Sequence, residues 1–192
     1  FIENRTYPGS PLIELSLLRL CDFAVFSDLH PSVFDELSEN VKFFQNENPE
    51  CSRVSLHKRN GFEMLKSLTP PVTKRVVVLI DPSYEDKTDY EETALCVIDR
   101  FKKWSGGVYL IWYPLLTYRM GLIESMLDQI ENGIRSVFPN TEIRDFRLKV
   151  AEEDEHIETE LSETQTPRLY GSGMFVINSP WKLDEKMDEV IP

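Results

Sequence analysis

Five consecutive apolar residues, Val76-Val77-Val78-Leu79-Ile80, run straight into Asp81-Pro82-Ser83-Tyr84. An unbroken apolar run of this kind predicts a strand buried on both faces, as in the middle of a parallel sheet with helices on each side. Pro82 has no N–H to give to a ladder, so the strand has to stop there. A carboxylate, a rigid turn and an aromatic ring are thereby placed at the carboxyl end of a central strand. In open α/β sheets that edge is where ligands bind. Taken alone, the same four residues also describe an ordinary turn.

The rest of the chain alternates between strand and helix signals. Ser10-Pro11 predicts an N-cap followed by Pro at the first helical position, with Leu12, Leu15 and Leu18 at helical spacing after it. A short apolar strand over 23–27 ends in Asp28-Leu29-His30-Pro31, and Ser32 is the expected cap of a helix that buries Val33, Phe34, Leu37, Val41 and Phe44. A brief strand over 54–56 leads to an Asn60-Gly61 turn and a helix carrying Phe62, Leu65 and Leu68, ended by Pro70-Pro71. Beyond the central strand, 90–104 predicts an amphipathic helix with Leu95, Ile98 and Phe101 as its apolar stripe. Residues 108–113 predict a further buried strand stopped by Pro114, and 117–133 a helix.

Two late strands are expected, over 142–150 and 174–178. Alternation in the first suggests an antiparallel strand with one wetter face. Gly171-Ser172-Gly173, just before the second, reads as a turn. The order of elements predicts a doubly wound α/β sheet, mostly parallel with a late antiparallel strand, within a single domain over 1–192.

Composition narrows the function classes. With 33 Asp and Glu against 21 Lys and Arg, the net charge is −12. That balance disfavours broad, non-specific affinity for nucleic acid, though it leaves room for a local basic patch. Cys21, Cys51 and Cys96 are odd in number and widely spaced, as are His30, His57 and His156. Neither a disulfide framework nor a metal site is expected, which suits a reducing cytoplasm. No apolar stretch is long enough to span a bilayer. The acidic run over 152–163 reads as a solvated loop.

No GxxxxGK[ST] phosphate loop and no GxSxG elbow occurs. Chemistry is therefore expected at strand ends, where Asp28, Asn60-Gly61 and Asp81 with Tyr84 stand. An acidic residue such as Asp28 can accept hydrogen bonds from both ribose hydroxyls of a nucleoside. The Asn60 amide offers both donor and acceptor to an adenine edge. Asp81 can accept from an exocyclic amine, and Tyr84 can stack on a base. Read singly, Asp28 is a turn residue beside a helix and Asn60-Gly61 a commonplace turn.

The pattern closely resembles the RlmJ-type 23S ribosomal RNA adenine-N6 methyltransferases, a class I, Rossmann-like, S-adenosylmethionine-dependent family. The resemblance rests on Tyr7-Pro-Gly-Ser-Pro-Leu-Ile13, Leu29-His-Pro31, Asn60-Gly-Phe62 and Leu79-Ile-Asp-Pro-Ser-Tyr84. It continues through Lys87-Thr-Asp-Tyr90, Leu110-Ile-Trp-Tyr-Pro114, Ser172-Gly-Met174 and Val176-Ile-Asn-Ser-Pro-Trp-Lys-Leu183. By that resemblance Ser10 contacts the cofactor, Asp28 stands where the family usually has a glutamate on the cofactor ribose, and Asn60-Gly61 where an Asp-Gly pair lies near its adenine. Asp81 matches the catalytic acid of an Asp-Pro-Pro-Tyr motif, in which the carboxylate and an adjacent carbonyl, that of Pro82 here, hold the adenine amine. Tyr84 matches the ring that stacks on a flipped-out base.

The chain departs from the family at Ser83, which replaces the second proline, at Asp28, one methylene shorter than Glu, and at Asn60, uncharged where Asp is usual. The Gly-rich first motif and the upstream histidines have no counterpart, so an N-terminally incomplete view of the domain is expected. The resemblance implies methyl transfer to an adenine N6 amine of 23S ribosomal RNA by a soluble cytoplasmic monomer. Two rival readings are a non-catalytic nucleic-acid-binding protein linked to use of external DNA as nutrient, and a methyltransferase acting on DNA adenine or a small amine.

Overall fold

The protein is seen in a computed structural model that describes residues 8–50, 53–73, 75–151 and 168–190. Backbone contacts divide the chain into two units, Phe1–Ser67 and Leu68–Pro192. Each carries its own sheet. The acidic run over 152–163 lies outside the described residues, as do Tyr7, Cys51 and His156.

In the first unit, β1 (Phe23–Ser27) and β2 (Arg53–His57) pair in parallel, with Ala24 opposite Val54 and Phe26 opposite Leu56. Helices α1 (Gly9–Leu17), α2 (Pro31–Glu47) and α3 (Gly61–Leu68) follow the expected order. Leu15, Ala24, Phe26 and Val41 are buried together, with Leu12, Leu37, Phe44 and Leu56 packed around them. Both helix starts differ from expectation by a residue or two. α1 begins at Gly9, so Ser10 lies inside its first turn and caps nothing. α2 begins at Pro31, and the Ser32 hydroxyl meets His30 Nδ1 at 3.0 Å in place of a backbone N–H. Pro31 explains the shift, because its fixed φ suits the first helical position.

In the second unit, β3 (Val77–Ile80) pairs in parallel with β4 (Val108–Leu116). β6 (Leu169–Ile177) runs antiparallel to both β4 and β5 (Ile143–Lys149), giving the order β3-β4-β6-β5. The late antiparallel strand is thus as expected. The central position of β3 is not: it has one neighbour among the described strands, and Val77 is 62 % exposed.

Helix α4 (Thr88–Lys103) buries Tyr90, Ala94, Val97 and Phe101, whereas Leu95 is exposed. The apolar stripe is therefore rotated by about one residue from the one expected. Tyr90 and Ala94, rather than Leu95, sit at the i and i+4 positions that continue to Val97 and Phe101. α5 (Met120–Arg135) buries Ile123, Met126, Ile130 and Ile134, and α6 (Leu183–Asp188) closes the order.

Two sequence expectations fail within the sheet, for clear reasons. β4 does not stop at Pro114 but continues to Leu116. Val108 N–H points toward β3, bonding Val76 O, and period-two alternation sends position 114 to the same side. β3 ends opposite Ile111, so the missing N–H of Pro114 costs no ladder bond. Gly171-Ser172-Gly173 is likewise strand, not turn, paired to Leu115, Pro114 and Tyr113 of β4. Those glycines clear space: a β-carbon at 171 would run into the Leu148 carbonyl, and one at 173 into the Tyr113 ring.

Candidate active site

Parallel pairing of β1 and β2 sets Asp28 and Asn60 at the same, carboxyl edge of their sheet. Asp28 N–H donates to His57 O at 3.2 Å, Arg59 N–H donates to Asp28 O at 3.1 Å, and Ser27 Oγ donates to Arg59 O at 2.6 Å. The Asp28 carboxylate accepts the His30 N–H through Oδ1 at 2.7 Å. Its Oδ2 carries no hydrogen bond among the described residues.

Asn60 does work that the sequence did not announce. Its Oδ1 accepts the N–H groups of Phe62 at 2.9 Å and Glu63 at 3.1 Å, capping α3. The side-chain amide nitrogen is left over, with no partner among the described residues. At Gly61 an added β-carbon would meet nothing within 4 Å, so the backbone here faces open space. Ser10, half-buried in α1, has a hydroxyl with no hydrogen bond among the described residues.

The second unit holds the motif that follows β3. Asp81 keeps a solvent-exposed surface, yet neighbouring protein displaces part of its hydration and raises its pKa above the usual carboxylate value. Its carboxylate makes no hydrogen bond or ion pair among the described residues, and the Pro82 carbonyl accepts none. Ser83, where a second proline was noted as usual, offers Oγ to Asp89 Oδ2 at 3.4 Å.

Tyr84 has φ +54°, in the left-handed region that a β-carbon disfavours. Its ring is 1 % exposed and lies 4.8 Å from the Tyr90 ring and 6.4 Å from Trp112, centroid to centroid. The hydroxyl donates to Trp112 O at 2.8 Å, and burial holds its pKa far above that of a free phenol. Here the side chain ties the turn to β4. The base-stacking role expected for Tyr84 would require the ring to come free of this enclosure.

Arg119 drew no notice in the sequence. Its Nη1 donates to Tyr84 O at 2.5 Å and to Glu85 O at 3.2 Å, and Nη2 reaches Glu85 O at 3.2 Å. No local motif marks an arginine that acts through a backbone 34 and 35 residues away.

The family described as "Ribosomal RNA large subunit methyltransferase D, RlmJ" matches residues 2–192. The chain belongs to the RlmJ family. It is 35% identical over 191 residues to Ribosomal RNA large subunit methyltransferase J of Escherichia coli K12, and 34% identical over 191 residues to the protein of that name from Haemophilus influenzae KW20. Each match takes in 99% of the chain and 59% of the relative, so the chain spans about three-fifths of the length of these RlmJ proteins. A solved structure, protein LPL1258 from Legionella pneumophila, superposes with a TM-score of 0.73 at 25% identity, over 96% of this chain and 60% of that one. The mixed α/β architecture, with parallel pairs β1–β2 and β3–β4, fits the class I, Rossmann-like fold that RlmJ membership implies.

Proposed function

We propose that this protein transfers a methyl group from S-adenosylmethionine to the N6 amine of an adenine in 23S ribosomal RNA. The observation that carries this reading is the pair of acceptors at the end of β3, the Asp81 carboxylate and the Pro82 carbonyl, both without a partner among the described residues, in a chain of the RlmJ family. Two acceptors on consecutive residues match in number the two N–H bonds of an exocyclic amine. Holding both fixes the direction of the nitrogen lone pair, a matter of positioning more than of proton removal.

Residues of the first unit fit a nucleoside-bearing cofactor. With no partner among the described residues, Asp28 Oδ2 can accept from ribose hydroxyls and the Asn60 amide nitrogen can donate to an adenine ring nitrogen, and Gly61 leaves open space at the backbone. Ser10, in the same unit, would give its hydroxyl to the cofactor. The cofactor supplies an electrophilic methyl group. Its methyl would pass to the amine nitrogen with the S–C bonding pair left on sulfur. The amine then sheds one proton, which the Asp81 carboxylate or water takes up. A raised pKa brings Asp81 closer to accepting it.

This reading comprises a single methyltransferase domain acting as a cytoplasmic monomer without a metal. No helix among the described residues is long and apolar enough to cross a membrane. The test is transfer of labelled methyl groups from S-adenosylmethionine to unmodified large-subunit RNA, beside Asp81→Ala. Transfer by the wild type, lowered roughly 100-fold in the variant, is expected. Cofactor binding without transfer to RNA would move the substrate to DNA or a small amine. Absence of cofactor binding would favour the non-catalytic nucleic-acid-binding reading.

A further inference from the structure

The turn that presents Asp81 and Pro82 has an awkward backbone. Tyr84 occupies the left-handed region at φ +54°, a conformation that a β-carbon disfavours. Something must hold it. The Tyr84 hydroxyl fixes one side, through Trp112 O on β4. The opposite side of the turn, the carbonyls of Tyr84 and Glu85, would be left to water were it not for Arg119.

Arg119 is itself held in place by the main chain. Its N–H donates to Leu116 O at 3.2 Å, and its carbonyl accepts Leu122 N–H at 3.0 Å and Ile123 N–H at 3.1 Å, opening α5. Tyr118, just before it, is also left-handed, at φ +65°. One strained residue, Tyr84, thus gives its carbonyl to the guanidinium, and another, Tyr118, directly precedes the arginine that supplies it. Strained backbone persists where the surrounding structure overdetermines it. A planar guanidinium can serve two carbonyls at once, which a flexible ammonium does less well.

We infer that Arg119 is a positioning residue for the methyl-transfer reaction, clamping the Tyr84 and Glu85 carbonyls so that Asp81 and Pro82 hold the acceptor amine in a fixed direction. The inference rests on the function proposed above. Arg119 acts through the backbone of the turn and leaves the acceptors themselves unoccupied. Its loss therefore shows in turnover and not in ligand affinity.

The experiment compares wild type, Arg119→Ala and Arg119→Lys in two ways. Amide deuterium exchange reads the clamp directly, whether or not the protein is active. Residues 83–86 are expected to exchange about tenfold faster in Arg119→Ala, while β4 and α5 stay as protected as in the wild type. Steady-state methyl transfer reads the consequence. A kcat lowered roughly 10- to 100-fold is expected, with KM for RNA and the Kd for S-adenosylhomocysteine within about twofold of wild type. Arg119→Lys, which keeps one strong donor, is expected to recover part of both. It also stands in should the alanine variant fail to fold.

Unchanged exchange at 83–86 would overturn the clamp. A loss confined to KM would overturn positioning and make Arg119 a contact to RNA. If the wild type transfers no methyl group to any adenine, the functional reading fails, and positioning for that reaction fails with it. Exchange at 83–86 still separates that failure from an absent clamp.

Discussion

Gly173 lies under the ring of Tyr113 so closely that a β-carbon there would overlap the ring and its hydroxyl. The ring has no room to move aside. Its hydroxyl donates to Asp145 Oδ1 at 2.5 Å and accepts from Arg147 Nε at 2.9 Å, and Arg147 is held in turn by Glu124 at 2.7 Å. Strands β4, β5 and β6 and helix α5 meet in that one cluster.

Gly173→Ala is therefore expected to destabilise the protein by about 2 kcal/mol, the usual cost of forcing an extra methyl into packed surroundings. Denaturant unfolding measures it. Pairing with Tyr113→Ala should recover much of the methyl's cost in a double-mutant cycle, because the three atoms nearest the added carbon all belong to Tyr113.

Asp81→Asn tests the carboxylate through pH. Burial raises the Asp81 pKa in the folded protein, so between its unfolded value and that raised value the folded state binds more protons than the unfolded state. Stability from this group is thus greatest below the unfolded pKa and falls as pH climbs to the folded one. The asparagine variant, which does not titrate, should lose that fall and be no less stable than wild type at neutral pH. The wild-type rate of methyl transfer should have an acid limb displaced upward from an ordinary aspartate, since the charged form holds the amine.

Tyr84→Phe keeps the enclosed ring but removes the bond to Trp112 O. A loss of about 1 kcal/mol is expected from the carbonyl left without its donor. Thermal unfolding gives the stability, and turnover should drop in the same direction as for Arg119→Ala. Equal turnover with reduced stability would show that the hydroxyl serves the core and not the turn.

Asn60 separates structural from ligand-binding work. Asn60→Ala should cost about 1 kcal/mol by uncapping α3. Asn60→Asp retains the cap and adds a negative charge at the helix N-terminus, for a gain of about 0.3–1 kcal/mol. Titration with S-adenosylhomocysteine then reads the other half of the residue, since Asp keeps the cap oxygen but loses the amide nitrogen.

Much of this was open to reading from the sequence where one residue type forces one outcome. Pro82 follows the end of β3, the apolar run over 23–27 and residues 77–80 of the run over 76–80 are strand, and Asp81-Pro82-Ser83-Tyr84 marks the motif. The failures share a cause, which is tertiary context. Gly171 and Gly173 read as turn residues because what makes them glycines, the Leu148 carbonyl and the Tyr113 ring, comes from other strands. Pro114 read as a stop because nothing local tells that β3 has already ended beside it. Leu95 read as buried because hydrophobicity alone cannot fix a helix's rotation to within one residue. Arg119 left no trace, since its partners are carbonyls, which every residue has.

Because the turn after β3 is secured at Tyr84 and Glu85, its shape rests only in part on the side chain at 83, whose hydroxyl makes long bonds to Asp89 Oδ2 at 3.4 Å and from Glu85 N–H at 3.5 Å. A proline there would stiffen the turn from within; Ser83 leaves that task to the ties from β4 and from residue 119. Mutational tolerance is thereby redistributed: position 83 gains freedom to vary, while the loop at 117–119 loses its freedom to change length, since one residue more or less would carry the guanidinium off its two carbonyls.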